Sequence, residues 1–571
     1  MQVLGAPLPL LARELGHHFD SRHQLSGESL QEMEDYLKAI ADVAERRFRG
    51  PADSNTFVQS LLEEQPNTLV SISFGQPGIF LPVSRYLFEG DILLLPEQAK
   101  EIYQSLLEAV SSGGRSSDGG RSRVKRKFYT KESIKWPVDE PIKYRLRKSI
   151  TKDPYFESKI KEAIRHWELN TCLKFQWVTD VGRDEDFLDF FKGHGCYSTI
   201  GRIGGQQGLS IGLGCNRTGV VAHEIGHALG LWHEQSRPDA DAYINIVAGN
   251  VIRGTLGNFL KQKLANIDTY GVPYDLGSVM HYGPKAFTND WKKVTIDTKE
   301  PGYRKTIGQR ETLSFLDAQV INKVYCSDRC SGGTSVKCFR NGYPNPSHCH
   351  RCLCPEGLGG ERCERNEGTT GPAYCGGVIE LKGPTVRINS PNYPQAFPLD
   401  VKCSWLIKAP KGHRPYIEFM DEFHFWCPTT CIDYVEVKNF TSNFGATGMR
   451  FCCTEKPERI YAEDNEMVVI FNSAVIQDTG FAANVNFFPE ISTSLTTTTE
   501  QWTAEKSEHK LFIRVNVSSN SVRHWTPSSS SATDFQESTI DPDGSFLVRI
   551  LPPPGPTKEV IHYRFITIIV P

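Results

Sequence analysis

The run Thr218-Gly-Val-Val-Ala-His-Glu-Ile-Gly-His-Ala-Leu-Gly-Leu-Trp-His-Glu-Gln-Ser-Arg237 sets three histidines and a carboxylate at spacings that suit one metal ion. On a helix, His223 and His227 stand one above the other on the same face, so two imidazoles can meet one ion, with Glu224 beside them. A third ligand further along that helix would drift away from the metal. The chain must therefore bend before His233, and Gly230 supplies the bend, because glycine tolerates the left-handed conformation that ends helices. Three imidazoles leave zinc one open position for water, the arrangement of catalytic rather than structural zinc. Zinc in such a site lowers the pKa of that water towards about 7, and Glu224 is placed to take its proton and pass it to a leaving amine. The natural reaction is peptide hydrolysis. A bare H-E-x-x-H arises readily by chance; the extension to H-E-x-x-H-x-x-G-x-x-H, with glycine where geometry demands it, makes chance a poor explanation.

The extended motif continues into Glu234-Gln-Ser-Arg237 and is followed by Ser278-Val-Met-His-Tyr282. With these two stretches the sequence resembles the astacins of the metzincin clan. The resemblance implies an α+β metzincin peptidase domain with one Zn2+ per subunit on His223, His227 and His233. It further implies that Met280 forms the Met-turn beneath the metal, that Tyr282 helps to stabilise the tetrahedral intermediate, and that Glu234 lies near the N-terminus created by maturation. Gly204-Gly-Gln-Gln-Gly-Leu-Ser-Ile211 resembles the family's strand at the upper rim of the cleft, an edge that could pair with an extended substrate. Leu231 and Ala240 depart from the usual residues without touching the chemistry. Phe88-Glu-Gly-Asp91-Ile92 resembles the aspartate switch of astacin propeptides, in which a carboxylate takes the position of the catalytic water; read without the family, Glu-Gly-Asp is a good hairpin turn. Arg121-Ser-Arg-Val-Lys-Arg126 follows a Ser/Gly-rich stretch, as accessible processing sites do, so cleavage after Arg126 would start the mature chain at Lys127.

The elements that must position these residues belong to a chain of 571 residues, too long for one core. Apolar spacing at Leu30, Met33, Leu37, Ile40, Ala41 and Ala44 predicts an amphipathic helix over residues 26–48. Ile160, Ala163, Ile164 and Trp167 mark one face of another. The domains expected are a propeptide (1–126), a peptidase domain (127–328), an EGF-like module (329–364), a CUB domain (375–488) and a Ser/Thr-rich tail without order (489–571). The whole is multidomain, with all-β disulfide-rich modules behind the α+β domain.

The 16 cysteines are absent before position 172 and after 453, the pattern of disulfide-stapled extracellular modules. The resemblance implies Cys172–Cys326 and Cys196–Cys215 in the peptidase domain, Cys330–Cys349, Cys338–Cys352 and Cys354–Cys363 in the EGF-like module, and Cys375–Cys403 in the CUB domain. Pairing among Cys427, Cys431, Cys452 and Cys453 stays open. Many CUB domains bind calcium through a Glu and two Asp residues; Asp433 matches one, whereas Trp426 and Ala474 stand near the places of the others, so no calcium site is expected. Asn216, Asn439 and Asn516 begin N-glycosylation sequons. No secretory signal is visible at the start, yet the cysteines and sequons imply a secreted protein. No apolar run is long enough to span a membrane, and the net charge of -3 gives no argument for nucleic acid. The order peptidase, EGF, CUB is similar to multidomain nematode astacins, whose processing of procollagen and cuticle makes collagens the leading substrate class. A noncatalytic matrix-binding protein would have no need of Glu224 beside three intact histidines.

Overall fold

Helix α1, Gly27–Arg49, forms where the apolar spacing predicts it, burying Leu30, Met33, Ile40 and Ala44. It packs on α2, Pro96–Ser111, and on residues 248–260 of the peptidase domain. There Arg49 donates to the carbonyl of Val251 at 2.8 Å, and Glu45 accepts from the amide of Gly254 at 2.8 Å. The computed structural model describes residues 27–49, 69–71, 77–79, 85–111, 128–129 and 132–489, apart from 183–184, 263–266, 332–334 and 384, together with 512–516, 538–540 and 545–549. Arg126 and Lys127, the expected processing point, lie outside the described residues.

The peptidase domain is built on a seven-stranded sheet. Across it run Leu87–Phe88, Ile92–Leu93, Cys196–Ser198, Gln206–Ile211, Phe187–Phe191, Ile142–Leu146 and Phe175–Trp177. The first two strands come from the leader, and Ile92 pairs parallel with Ser198. Gln206–Ile211 is therefore an interior strand, flanked by Phe187–Phe191 and Cys196–Ser198, and not the exposed rim expected for it. Among the peptidase domain's own strands the outermost on that side is Cys196–Ser198, and the leader's Ile92–Leu93 covers its free edge. The expectation rested on resemblance, and a strand's residues carry no mark of which neighbours will cover it.

Helix α3, Pro154–Asn170, starts at Asp153, whose carboxylate accepts from the amides of Tyr155 and Phe156, with proline in the first turn. Its buried face is Ile160, Ala163, Ile164 and Trp167, as the spacing predicts, and the Trp167 indole donates to the carbonyl of Ala222 in α4 at 3.1 Å. Helix α4, Thr218–Ala228, is buried along its whole length. Helix α5, Phe315–Tyr325, opens with a Ser314/Asp317 capping box.

Residues 330–366 form two short hairpins held by Cys330–Cys349, Cys338–Cys352 and Cys354–Cys363. Residues 377–489 form a five-stranded and a four-stranded sheet around a core that includes Phe397, Trp405, Phe471 and Phe481. Here the pairing left open resolves as Cys427–Cys453 and Cys431–Cys452, beside Cys375–Cys403. The Asp433 carboxylate accepts from the amides of Ala474, Val475 and Ile476. Asn216 is half-buried, and the Asn439 amide nitrogen donates to the carbonyl of Tyr461.

The segment Ser492–Pro571 is a separate unit. Phe512–Asn516, Ser538–Ile540 and Ser545–Arg549 pair there as a three-stranded sheet, so the expectation of a tail without order does not hold for these residues. Average Ser/Thr richness hides short runs of β-branched and aromatic residues such as Phe512-Ile-Arg-Val515. Asn516 ends the first of these strands.

Candidate active site

Helix α4 carries His223 and His227 on one face, with ring centroids 4.6 Å apart. The helix stops where glycine was expected to stop it. Gly230 has φ of 105°, its amide donates to the carbonyl of His227, and the Leu231 amide reaches back to Gly226. The chain then turns, and His233 arrives with its ring 4.7 Å from that of His227.

Each imidazole is oriented by its outer nitrogen. His223 Nδ1 lies 2.8 Å from the carbonyl of Val279, and His227 Nδ1 lies 2.8 Å from that of Leu231. A carbonyl only accepts, so both Nδ1 atoms carry the proton and both Nε2 lone pairs face inward. Those two Nε2 atoms are 3.0 Å apart. Two lone pairs at that distance repel unless a cation sits against them. Burial holds His223 well down, at about 3, and His227 below its ordinary value, which keeps both neutral as metal ligands must be. The residues present thus fit zinc.

The fourth member is Asp91. His233 Nε2 lies 3.1 Å from its carboxylate and His223 Nε2 lies 3.3 Å away, and the four ligand atoms of Asp91, His223, His227 and His233 all fall within 4.8 Å of one another. The hairpin-turn reading of Phe88–Ile92 is what the backbone shows. Leu87–Phe88 and Ile92–Leu93 are a hairpin, and its turn delivers the carboxylate to the histidines. Gly90 is required in that turn: its φ is 79°, and a Cβ would fall 2.7 Å from the Phe287 ring.

Glu89, which sequence reasoning passed over, is fully buried next to Asp91. Its carboxylate lies 2.7 Å from His233 Nδ1 and accepts from Ser236 at 2.7 Å and Gln262 at 3.2 Å. Tyr282 donates its hydroxyl proton to the Glu89 carbonyl. Burial, reinforced by the charges of Asp91 and Glu89, pushes the Tyr282 hydroxyl far up, so it remains a donor. Glu224 is also fully buried, and neither oxygen has a protein hydrogen-bond partner; burial first and Asp91 second push its carboxyl up.

Met280 packs against α4, with its sulfur 2.9 Å from where a Gly226 Cβ would stand. That turn is pinned by Asp317, which accepts from the Ser278 hydroxyl and from the Val279 amide at 2.8 Å. The signal for Asp317 was present in sequence as S-x-x-D ahead of an apolar run. Glu234 accepts from Arg237 at 3.1 Å and from the Asp275 amide at 2.9 Å. Arg304 is on the surface with Asp297, Lys305 donates to Pro428, and Arg310 alone of the three basic residues is buried beside the site, donating to the carbonyl of His281.

The family model Astacin (Peptidase family M12A) matches residues 128–326, and a CUB domain model matches 375–485. Zinc metalloproteinase nas-36 of Haemonchus contortus is 45% identical over 471 residues, covering 82% of this chain and 74% of that protein. The chain belongs to the astacin family. This astacin is a zinc metalloendopeptidase with a CUB domain behind its catalytic domain. It is also 43% identical to zinc metalloproteinase dpy-31 of Caenorhabditis elegans over 410 residues, covering 71% of this chain and 66% of that one. Among solved structures, high choriolytic enzyme 1, a hatching enzyme zinc-protease from Oryzias latipes, is 34% identical, covering 34% of this chain and 94% of that chain with a TM-score of 0.31. Among the described residues, no helix is long and apolar enough to cross a membrane.

Proposed function

We propose that this astacin is a secreted endopeptidase made as a latent precursor, and that its substrates are extracellular structural proteins, collagens of a cuticle or matrix foremost. The observation that carries the latency is the Asp91 carboxylate among the three inward-facing imidazoles. Eight disulfides support an oxidising, extracellular setting. Residues 329–364 act as an EGF-like module, joining the CUB domain in matrix contacts, and processing after Arg126 begins the active chain at Lys127.

His223, His227 and His233 hold zinc through Nε2. When bound, zinc supplies Lewis acidity to the scissile carbonyl and the attacking water. Glu224 takes the water's proton and returns it to the departing amine; its oxygens, free of protein partners, are available for that transfer. Tyr282 already donates to a peptide carbonyl, that of Glu89, and in the open enzyme the same hydroxyl donates to the substrate carbonyl as charge develops there. The Cys196–Ser198 strand holds its ligand by backbone: the Ser198 amide donates to the Asp91 carbonyl at 3.0 Å, the kind of bond an extended substrate would accept. Arg310 sets a buried cation near Tyr282 and Glu224, which favours negative charge in the cleft.

Glu224→Ala tests the assignment of the base. The trimmed variant should fold and retain one zinc, yet hydrolyse quenched peptides at least about 100-fold more slowly. Equal turnover by both forms would reject that role. Cleavage-site profiling with the mature enzyme on matrix proteins tests the substrate class.

A further inference from the structure

We propose that the CUB domain is a positioning part of the catalytic cleft, acting through residues 305–310, and that it thereby takes part in choosing substrates. That loop is held on two sides. On one side the CUB domain grips its backbone: the Cys431 amide donates to the carbonyl of Lys305 at 2.9 Å, and Thr430 Oγ1 donates to that of Ile307 at 2.8 Å. The Thr306 hydroxyl bridges, accepting from the Arg450 amide at 2.9 Å and donating to Gly448. Lys305 Nζ donates to the carbonyl of Pro428 at 2.8 Å.

On its other side the same loop braces the catalytic machinery. Gln309 Nε2 donates to the carbonyl of Gly277 at 2.8 Å, and Arg310 Nη1 donates to that of His281 at 2.9 Å. These two acceptors bracket the turn that carries Met280. The Arg310 backbone also abuts α4, for a Cβ on Gly219 would fall 2.2 Å from its carbonyl oxygen. Three residues before Met280, Gly277 meets the CUB domain directly, and a Cβ there would stand 2.3 Å from Thr447. Thr447 further donates its amide to Asp275 at 3.0 Å, and the Asp275 amide donates to Glu234, the residue after His233.

The grip is stiff on the CUB side. Cys427–Cys453 and Cys431–Cys452 cross-link the two stretches that supply Thr430 and Arg450. Behind them Arg450, 3% exposed, lies 2.8 Å from Glu436. Lys402 joins Glu356 and Glu367 at 3.0 Å each, tying the preceding disulfide-rich module into the same body. A wall held by so many directional bonds cannot shift independently of the domain that holds it, and small displacements of cleft residues change the relative rates of different substrates more than the chemistry common to all.

The test uses the full-length protein, trimmed to its mature form, and a peptide library read by mass spectrometry. Thr430→Val keeps the shape of the side chain and loses the bond to Ile307; Thr430→Ser restores the hydroxyl. The expected result is a change of about threefold or more in the relative kcat/KM values of different peptides, with zinc content unchanged, and return of the parental profile in Thr430→Ser. Hydrogen exchange at residues 305–310 should rise in Thr430→Val and not in Thr430→Ser. Lys305→Gln, which loses the bond to Pro428, provides a second variant with the same expectation. A uniform slowing of all peptides, or an unaltered profile despite faster exchange in the loop, would overturn the proposal. These outcomes are independent of any preference for negative charge that Arg310 gives the cleft.

Discussion

Replacing Asp91 by alanine in the uncut precursor gives a quantitative test of the latch. The carboxylate lies 3.1 Å from His233 Nε2 and 3.3 Å from His223 Nε2. Hydrogen bonds to charged groups contribute about 1.5–3 kcal/mol each, so the two together give a lower bound of about 3 kcal/mol for what the side chain adds to the closed state. That is a factor of about 160 in the closed-to-open ratio, and a precursor open one time in about 10,000 would become open roughly one time in 60. Remaining anchors, namely Glu89 on His233 and α1 on residues 248–260, keep the segment docked, so the variant should leak rather than become fully active. The assay is hydrolysis of a quenched peptide by precursors made resistant to processing through Arg121→Ala, Arg123→Ala and Arg126→Ala, compared with mature enzyme. Silence of the Asp91→Ala precursor at the level of its parent would refute the reasoning, because it would show that the carboxylate adds nothing to closure.

Other outcomes follow from contacts elsewhere. Gly219→Ala should lower stability by about 1–3 kcal/mol, since the new methyl would meet the Arg310 carbonyl at 2.2 Å; an unchanged melting temperature would mean the helix start can give way. Asp433→Ala should cost about 1–3 kcal/mol by removing the charged acceptor of three amides; an unchanged melting temperature would show that water replaces the carboxylate at no cost. Glu356 is half-buried, which alone would raise its carboxyl, but Lys402, Arg450 and Lys438 override that and hold it at about 2 against an ordinary 4.5. A carboxyl depressed in the fold contributes stability that is full above the ordinary value and lost as pH falls towards about 2. The melting-temperature deficit of Glu356→Gln should therefore be widest near neutral pH and shrink in acid, and a deficit independent of pH would reject the ion pairing.

What could be read from residues alone were the features whose physics is local. Helix periodicity sets His223 against His227, a glycine stops the helix at position 230, and the motif between them names the metal and the base. Apolar spacing likewise located α1 and the buried face of α3. Features made by contact between distant segments were out of reach. Sequence marked Asp91 as a turn residue and, by resemblance, suggested a latch, but not that Glu89 beside it grips His233 from behind. A strand pattern in 204–211 carried no mark of which neighbour would cover it, so its covering by Cys196–Ser198, itself covered by the leader's Ile92, emerged only once the sheet was assembled. Four cysteines allow three pairings, and only the approach of two stretches of the CUB domain chose Cys427–Cys453 with Cys431–Cys452. The contact of Thr447 with Gly277 joins residues 170 positions apart in the chain, and no local pattern in either stretch foretells it. Spacing along one helix is fixed by backbone geometry, whereas which surfaces meet is decided by the packing of the whole chain.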